Sequence, residues 1–152
     1  MSADYPQLID PWRAAEEELS IAGQIPLNQL PGLDGKLDSE SITDTHRVSF
    51  NADFCRDSHG RPLVELSMST RVPLVCQRSL TRFNESLDAA SSVVIVRDEA
   101  EAERVEAVHE PVLLDDKLLA IRELVAEELV LALPLVPVNP DAEITQADVV
   151  EQ

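Results

Sequence analysis

Arginines are the residues of this chain best suited by type and position to bind a charged ligand. Between positions 45 and 97 all seven basic residues are arginines and five residues are acidic, so this segment carries a net charge of +2. A planar guanidinium can bind a phosphate through two hydrogen bonds or stack on a nucleobase. Arg71, Arg78 and Arg82, together with Arg47, are therefore candidate contacts for RNA. Ordinary ion pairing with the many acids of the chain is the alternative.

The acids are concentrated in the C-terminal third. Residues 98–152 carry fifteen acids and three bases, a net of −12 within a total charge of −17. Phosphate binding depends on lysine and arginine, so this third does not suit RNA. Complementary charge instead favours a basic protein partner and speeds its association. Glu101, Glu103 and Glu106 are the candidate contacts for such a partner.

The sequence contains no pattern that is typical of an enzyme or a metal site. Cys55 and Cys76 are too few for a disulfide framework, and they predict reduced thiols. The three histidines stand singly, without the spacing of paired ligands. No P-loop, dinucleotide-binding glycine motif or nucleophile elbow is present. We therefore predict a protein without catalytic residues, metal, cofactor or small-molecule substrate.

Two segments have the pattern of helices. Asp10 as N-cap and Gly23 as C-cap predict a first helix over 10–22. Apolar residues at steps of three and four predict an amphipathic helix over 115–133, with Leu131 widening its apolar stripe and the glutamates mostly outside it. Asp115 and Asp116 are expected to cap the start of this helix. Pro134 is expected to end it, because proline lacks the donor N–H.

The middle of the chain, residues 45–97, has the pattern of β-structure. Residues 45–56 and 63–76 alternate between apolar and polar side chains, and the turn residues between them predict an antiparallel hairpin. Pro73 is expected at an edge or a bulge. Residues 98–110 are predicted to be an acidic loop or a short exposed helix, and residues 139–152 a weakly ordered tail.

Together these elements predict one α+β domain over residues 1–138. In it, an antiparallel sheet, open or curved into a partial barrel, packs against the N-terminal helix and the C-terminal amphipathic helix. No apolar run approaches the roughly 18 residues of a membrane span. The first residues lack the pattern of a signal peptide, so we expect a cytoplasmic protein that does not bind membranes.

Three stretches resemble a known family. They are EELVLALPLVP at 127–137, DPWR at 10–13 and LVCQR at 74–78. Their residues, order and spacing are similar to those of the large ribosomal RNA subunit accumulation protein YceD family. The resemblance implies a non-enzymatic factor that supports 23S rRNA accumulation or processing and assembly of the large ribosomal subunit. It also implies that the arginine-bearing sheet contacts large-subunit rRNA or a pre-ribosomal particle.

The resemblance also bears on metal binding and on protein partners. Relatives with a full C-x-x-C, and a His or Cys beyond the L-P-x-V-P stretch, suggest a zinc site, but this chain has Ser79 and Asn139 at those places. Leu135, Val136 and Pro137 form a stiff apolar segment that either packs on the sheet or binds a partner. The alternative function is an acidic adaptor that holds a basic ribosomal protein without touching RNA.

Overall fold

The α+β fold class predicted from the sequence is confirmed. The computed structural model describes residues 5–33, 35–43, 45–114, 116–134 and 136–139. In chain order the elements are β1 (Leu8–Ile9), α1 (Pro11–Glu16), β2 (Ser20–Pro26), β3 (Arg47–Arg56), β4 (Pro62–Val75), β5 (Arg82–Val96), α2 (Glu99–Glu103), β6 (Glu110–Leu113), β7 (Leu119–Ala120) and α3 (Ile121–Ala132). Short 3₁₀ turns occur at Leu27–Gln29 and Ser39–Ser41.

Five strands form the main sheet in the order β2-β3-β4-β5-β6. The first four are antiparallel, β6 joins β5 in parallel, and β1 pairs with β7 in a separate two-stranded ribbon. β2 and β6 are the edges, so the sheet is not closed into a barrel within the described residues. The predicted hairpin is confirmed by the antiparallel pairing of β3 with β4.

The sheet has an inner face that is buried and an outer face that is largely exposed. On β3 from Val48 to Phe54, and throughout β4, the even-numbered residues are buried and most odd-numbered residues are exposed, as the alternation predicts. The core contains the inner-face side chains together with residues of α1 and α3. α2 instead covers one end of the outer face, where Ala102 and Val105 pack on Leu63, Val94 and Val96.

The predicted first helix over 10–22 is wrong beyond Glu16. Asp10 does cap α1, accepting hydrogen bonds from the backbone of Trp12 and Arg13. The following residues, however, form β2, in which Gly23 pairs with Phe50 rather than capping a helix. A seven-residue ladder with β3 outweighs the local helical preference of the glutamates, because tertiary pairing overrides propensity.

The C-terminal helix begins later than 115. α3 starts at Ile121 because Leu119 and Ala120 pair with β1 instead. The N-cap is Ala120, which makes no side-chain cap, so the predicted capping by Asp116 is wrong; Asp115 lies outside the described residues. The helix ends at Ala132, two residues before Pro134, as expected.

The side chains of α3 differ from the predicted stripe in two places. Leu131 is 67% exposed, whereas Glu128 is only 5% exposed. β5 is one continuous strand of fifteen residues, and the acidic segment contains the short helix α2, capped by Asp98. The predicted tail from 140 onward lies outside the described residues.

Candidate functional site

The strand register brings Arg47 and Arg71 together on the outer face. β3 and β4 pair as far as Ser49 opposite Ser69, and Arg47 and Arg71 are the next residues of the same face beyond that last pair. The hydroxyl of Thr70 donates a 2.8 Å hydrogen bond to the carbonyl of Arg47, which holds the two strands together there. Arg71 is exposed and lies opposite Ser86 of β5.

The other two arginines belong to the neighbouring hairpin, formed by β4 and β5. Arg78 is exposed in the turn between β4 and β5, and Arg82 lies opposite Val75, on the same face as Arg71. Four residues of strand separate Arg82 from the position opposite Arg71, a distance of about 13 Å. The structure therefore spreads the four arginines over two neighbouring hairpins and does not gather them at one point.

Arg82 has a structural role that sequence reasoning missed. Its guanidinium lies 3.0 Å from Asp38 Oδ2 and 2.5 Å from Glu40 Oε2. The backbone N–H of Asp38 in turn donates to the carbonyl of Pro73, at a point that β3 no longer reaches. Arg82 therefore helps to hold the loop along the exposed edge of β4. This also confirms that Pro73 lies at a local edge.

The outer face between β2 and β5 is polar and built mostly from small side chains. Its exposed members include Ser49, Asn51, Ser67, Ser69 and Ser86. Arg47 and Arg71 lie at one end, whereas Asp53 and Glu65 lie opposite each other nearer the other end. The positive end is therefore the part of this face where a phosphate would meet attraction.

Cys76 lies at the end of β4 in a polar backbone environment. Its Sγ accepts hydrogen bonds from the backbone N–H groups of Ser79 and Asn139, each at 3.4 Å. Hydrogen bonds from Ser79 and Asn139 lower the pKa of the Cys76 thiol to about 6. Burial and nearby carboxylates, Glu65 first, instead raise the pKa of Cys55. The part of the chain that is described has no cluster of three or more His, Cys, Asp or Glu residues able to hold a metal.

The L-P-x-V-P stretch packs back on the same end of the sheet. The backbone N–H of Gln77 donates a 2.8 Å hydrogen bond to the carbonyl of Pro137. Pro137 is half-buried, whereas Val136 is exposed, and Leu135 lies outside the described residues. An open groove of about 580 Å³ separates this stretch from the loop around Leu37.

The acidic candidates on and after α2 differ in their surroundings. Glu101 accepts a 2.8 Å hydrogen bond from the backbone of Arg97 and lies 3.7 Å from Arg61, so it is part of the local structure. Glu106 accepts a hydrogen bond from Ser58 at 3.3 Å. Glu103 is exposed. The three carboxylates thus present less free charge than the sequence predicts.

Glu110, Glu123, Glu127 and Glu128 form a second acidic cluster, in which sequence reasoning missed the burial of Glu128. Glu110 begins β6 and the other three belong to α3. Glu128 stands three and four residues after the buried Val125 and Leu124, a spacing that places it in the apolar stripe. That spacing is the signal that could have revealed it.

Comparison with known proteins agrees with two of the three stretches of resemblance, residues 74–78 and 127–137. The model of the family described as large ribosomal RNA subunit accumulation protein YceD matches residues 64–151, which is more than half of the chain. The match includes β4, the Cys76 turn and α3, while residues 10–13 lie outside it. No solved structure matches the chain. Among the described helices, none is both long enough and apolar enough to cross a membrane. The chain belongs to the large ribosomal RNA subunit accumulation protein YceD family.

Proposed function

We propose that the protein is a non-enzymatic factor of the cytoplasm that supports accumulation and processing of 23S rRNA, and thereby assembly of the large ribosomal subunit. Family membership is the observation that carries this proposal. The family description names an accumulation factor and no catalytic activity. The proposal therefore concerns binding, and the question is which surface meets the RNA or the pre-ribosomal particle.

The positive end of the outer face is the proposed RNA contact. Arg71 is exposed, and its side chain makes no hydrogen bond or ion pair within the described residues. Arg47 stands beside it, and Arg78 extends the charge into the turn. Arg82 adds charge to the same surface while it holds the loop at Asp38. Because the side chains around these arginines are small and polar, the backbone of an RNA strand can approach the guanidinium groups.

Charge reversal tests this contact. The double variant Arg71→Glu and Arg78→Glu is expected to dissociate from pre-ribosomal particles, so that it no longer sediments with them in a sucrose gradient. It is also expected to lower the amount of large-subunit rRNA in cells. Arg104→Glu is the matched control, because Arg104 is exposed at the end of α2, which covers the end of the outer face that is remote from Arg71. Unchanged particle association of the double variant would remove the arginine assignment. Arg82 is left intact, since its loss would release the loop.

The second candidate function is the acidic adaptor for a basic ribosomal protein. The four glutamates around α3 favour it, because none of them takes part in an ion pair within the described residues. Salt-sensitive binding of a purified basic ribosomal protein would support the adaptor. Glu101→Gln, Glu103→Gln and Glu106→Gln together should weaken that binding. An absence of binding at low salt would exclude the idea.

One capture experiment separates the two functions. The tagged protein is purified from growing cells, and its RNA is sequenced while its proteins are identified by mass spectrometry. Precursor rRNA crosslinked directly to the protein, and absent with the Arg71 and Arg78 variant, supports RNA contact. One basic ribosomal protein at high stoichiometry that persists after nuclease treatment supports the adaptor.

A further inference from the structure

A groove with an apolar floor and an acidic wall runs along α3. It has a volume of about 530 Å³ and lies between the helix, the start of β6 and the turn at Pro31 and Gly32. Ala126, Val130 and Leu131 form its apolar part. The carboxylates of Glu110, Glu123 and Glu127 line it as well. None of the described side chains that line the groove is basic.

The carboxylate of Glu128 behind this wall is buried without a counter-charge. Glu128 is 5% exposed, and its Oε2 atom has no hydrogen-bond partner in the described structure. Glu110, which lines the groove, lies close enough to Glu128 for the two carboxyl groups to interact. A buried carboxylate is costly unless it is paired with a cation or fully hydrogen-bonded. The unsatisfied oxygen therefore points to a missing cationic group.

The pKa values of the glutamates that line the groove agree with a missing cation. Burial, followed by the hydrogen bond and the charge of Glu128, raises the pKa of Glu110 to about 7. Burial and the charges of Glu128 and Glu123 also raise the pKa of Glu127. Carboxylates that repel one another in this way hold protons until an opposite charge arrives. A bound cation would lower the pKa of Glu110 and release its proton.

The cation cannot come from a lysine or arginine of the same chain in this arrangement. All twelve lysines and arginines lie within the described residues, because the remaining positions contain none. None of the twelve lines the groove. The apolar floor also argues for more than a bare ion. Lysine and arginine bury their alkyl stems on apolar surface and keep the charged head at its edge, which is the chemistry this groove offers.

We propose that the groove binds one lysine or arginine side chain of a basic partner protein, with its stem on Ala126, Val130 and Leu131 and its cationic head between Glu110 and Glu127. This inference rests on the adaptor function and gives it a specific site. The groove gives the partner one defined binding site, because the negative charge of the surface alone would attract any cation equally. The partner is defined by chemistry, as a protein segment with an accessible basic side chain.

Fluorescence anisotropy with a labelled peptide of alternating lysine and serine tests the proposal at pH 8. The double variant Glu110→Gln and Glu127→Gln is expected to weaken binding by about tenfold or more. The matched control is Glu18→Gln and Glu99→Gln, which removes the same charge from exposed positions outside the groove and is expected to weaken binding by about twofold. Leu131→Ser should also weaken binding, because it removes part of the apolar floor.

The outcomes separate the groove from the adaptor function. If both double variants weaken binding equally, the field is diffuse, so the groove proposal fails while the adaptor survives. If the parent protein does not bind the peptide at low salt, both fail. Thermal unfolding verifies that each variant is folded. Glu127→Gln alone, at an exposed position, replaces the double variant if that protein does not fold, and an unchanged affinity would then overturn the proposal.

Discussion

The Sγ atom of Cys76 and the backbone N–H of Asn139 form a 3.4 Å hydrogen bond that joins the end of β4 to the segment after Pro137. The N–H of Ser79 reaches the same sulfur from the other side. Ser79 and Asn139 stand where the family resemblance implies metal ligands in relatives. In this chain, two hydrogen bonds to the Cys76 sulfur join the turn after β4 to the C-terminal segment.

The two cysteines are expected to titrate far apart. In Cys55→Ser, which keeps Cys76, thiolate absorbance at 240 nm should rise with a midpoint near pH 6, because N–H donors stabilise the thiolate. In Cys76→Ser, the remaining Cys55 should titrate above about pH 9, because burial and neighbouring carboxylates oppose its ionisation. Equal midpoints in the two variants would contradict the hydrogen-bonded geometry around Cys76.

Added thiols at Ser79 and Asn139 are expected to create a metal site. Both backbones are in contact with the Cys76 sulfur, so Ser79→Cys with Asn139→Cys places three thiols around one point. Three protein ligands and a water complete the tetrahedral coordination that Zn²⁺ and Co²⁺ accept. Titration with Co²⁺ should give the visible bands of tetrahedral thiolate coordination. The control adds cysteines at Ser67 and Ser86, which do not pair with each other, and should not give these bands.

The β-hairpin of β3 and β4 could be predicted because its pattern is local. Every second residue from Val48 to Phe54 is apolar, and a period of two fixes which side chains face the core. The buried residues of α3 follow from the same kind of argument with a helical period. In both cases the alternation within one segment is enough, because the opposite face of the element is solvated.

What could not be predicted depends on residues that are distant in sequence. The first helix fails after Glu16 because β2 finds its partner in β3, about 25 residues later. Arg82 pairs with Asp38, which lies more than 40 residues earlier in the chain, and is therefore not left for a ligand. Glu128 follows the helical period into the core, but a charged side chain is expected in solvent, so its burial was not predicted.

Gly23→Ala is expected to destabilise the fold by about 1–3 kcal/mol. A Cβ at this position would lie 2.6 Å from Tyr5 Cδ1, and the Tyr5 ring packs edge-on against Phe50 at 5.1 Å. The ring must therefore shift. Urea unfolding measures the loss. In a Tyr5→Ala background the cost of Gly23→Ala should shrink, and a cost that stays the same would show that the ring is not the cause.

Glu110→Gln is expected to stabilise the protein at pH 8 by about 1 kcal/mol, allowing for solvent screening of this partly exposed group. The pKa of Glu110 is raised from 4.5 to about 7 in the folded state, so the native protein binds the proton more tightly than the unfolded chain. Linkage then requires that the parent loses stability as the pH rises from about 4.5 to about 7. Glutamine cannot ionise, so the variant avoids that loss.

Urea unfolding of the parent and of Glu110→Gln at pH 4.5, 6 and 8 measures this dependence. The difference between the two free energies of unfolding should be near zero at pH 4.5 and should grow until about pH 7. Glu103→Gln is the control, because it removes a charge of the same sign from an exposed position on α2. A difference for Glu110→Gln that stays constant between pH 4.5 and pH 8 would mean that folding does not raise the pKa of Glu110.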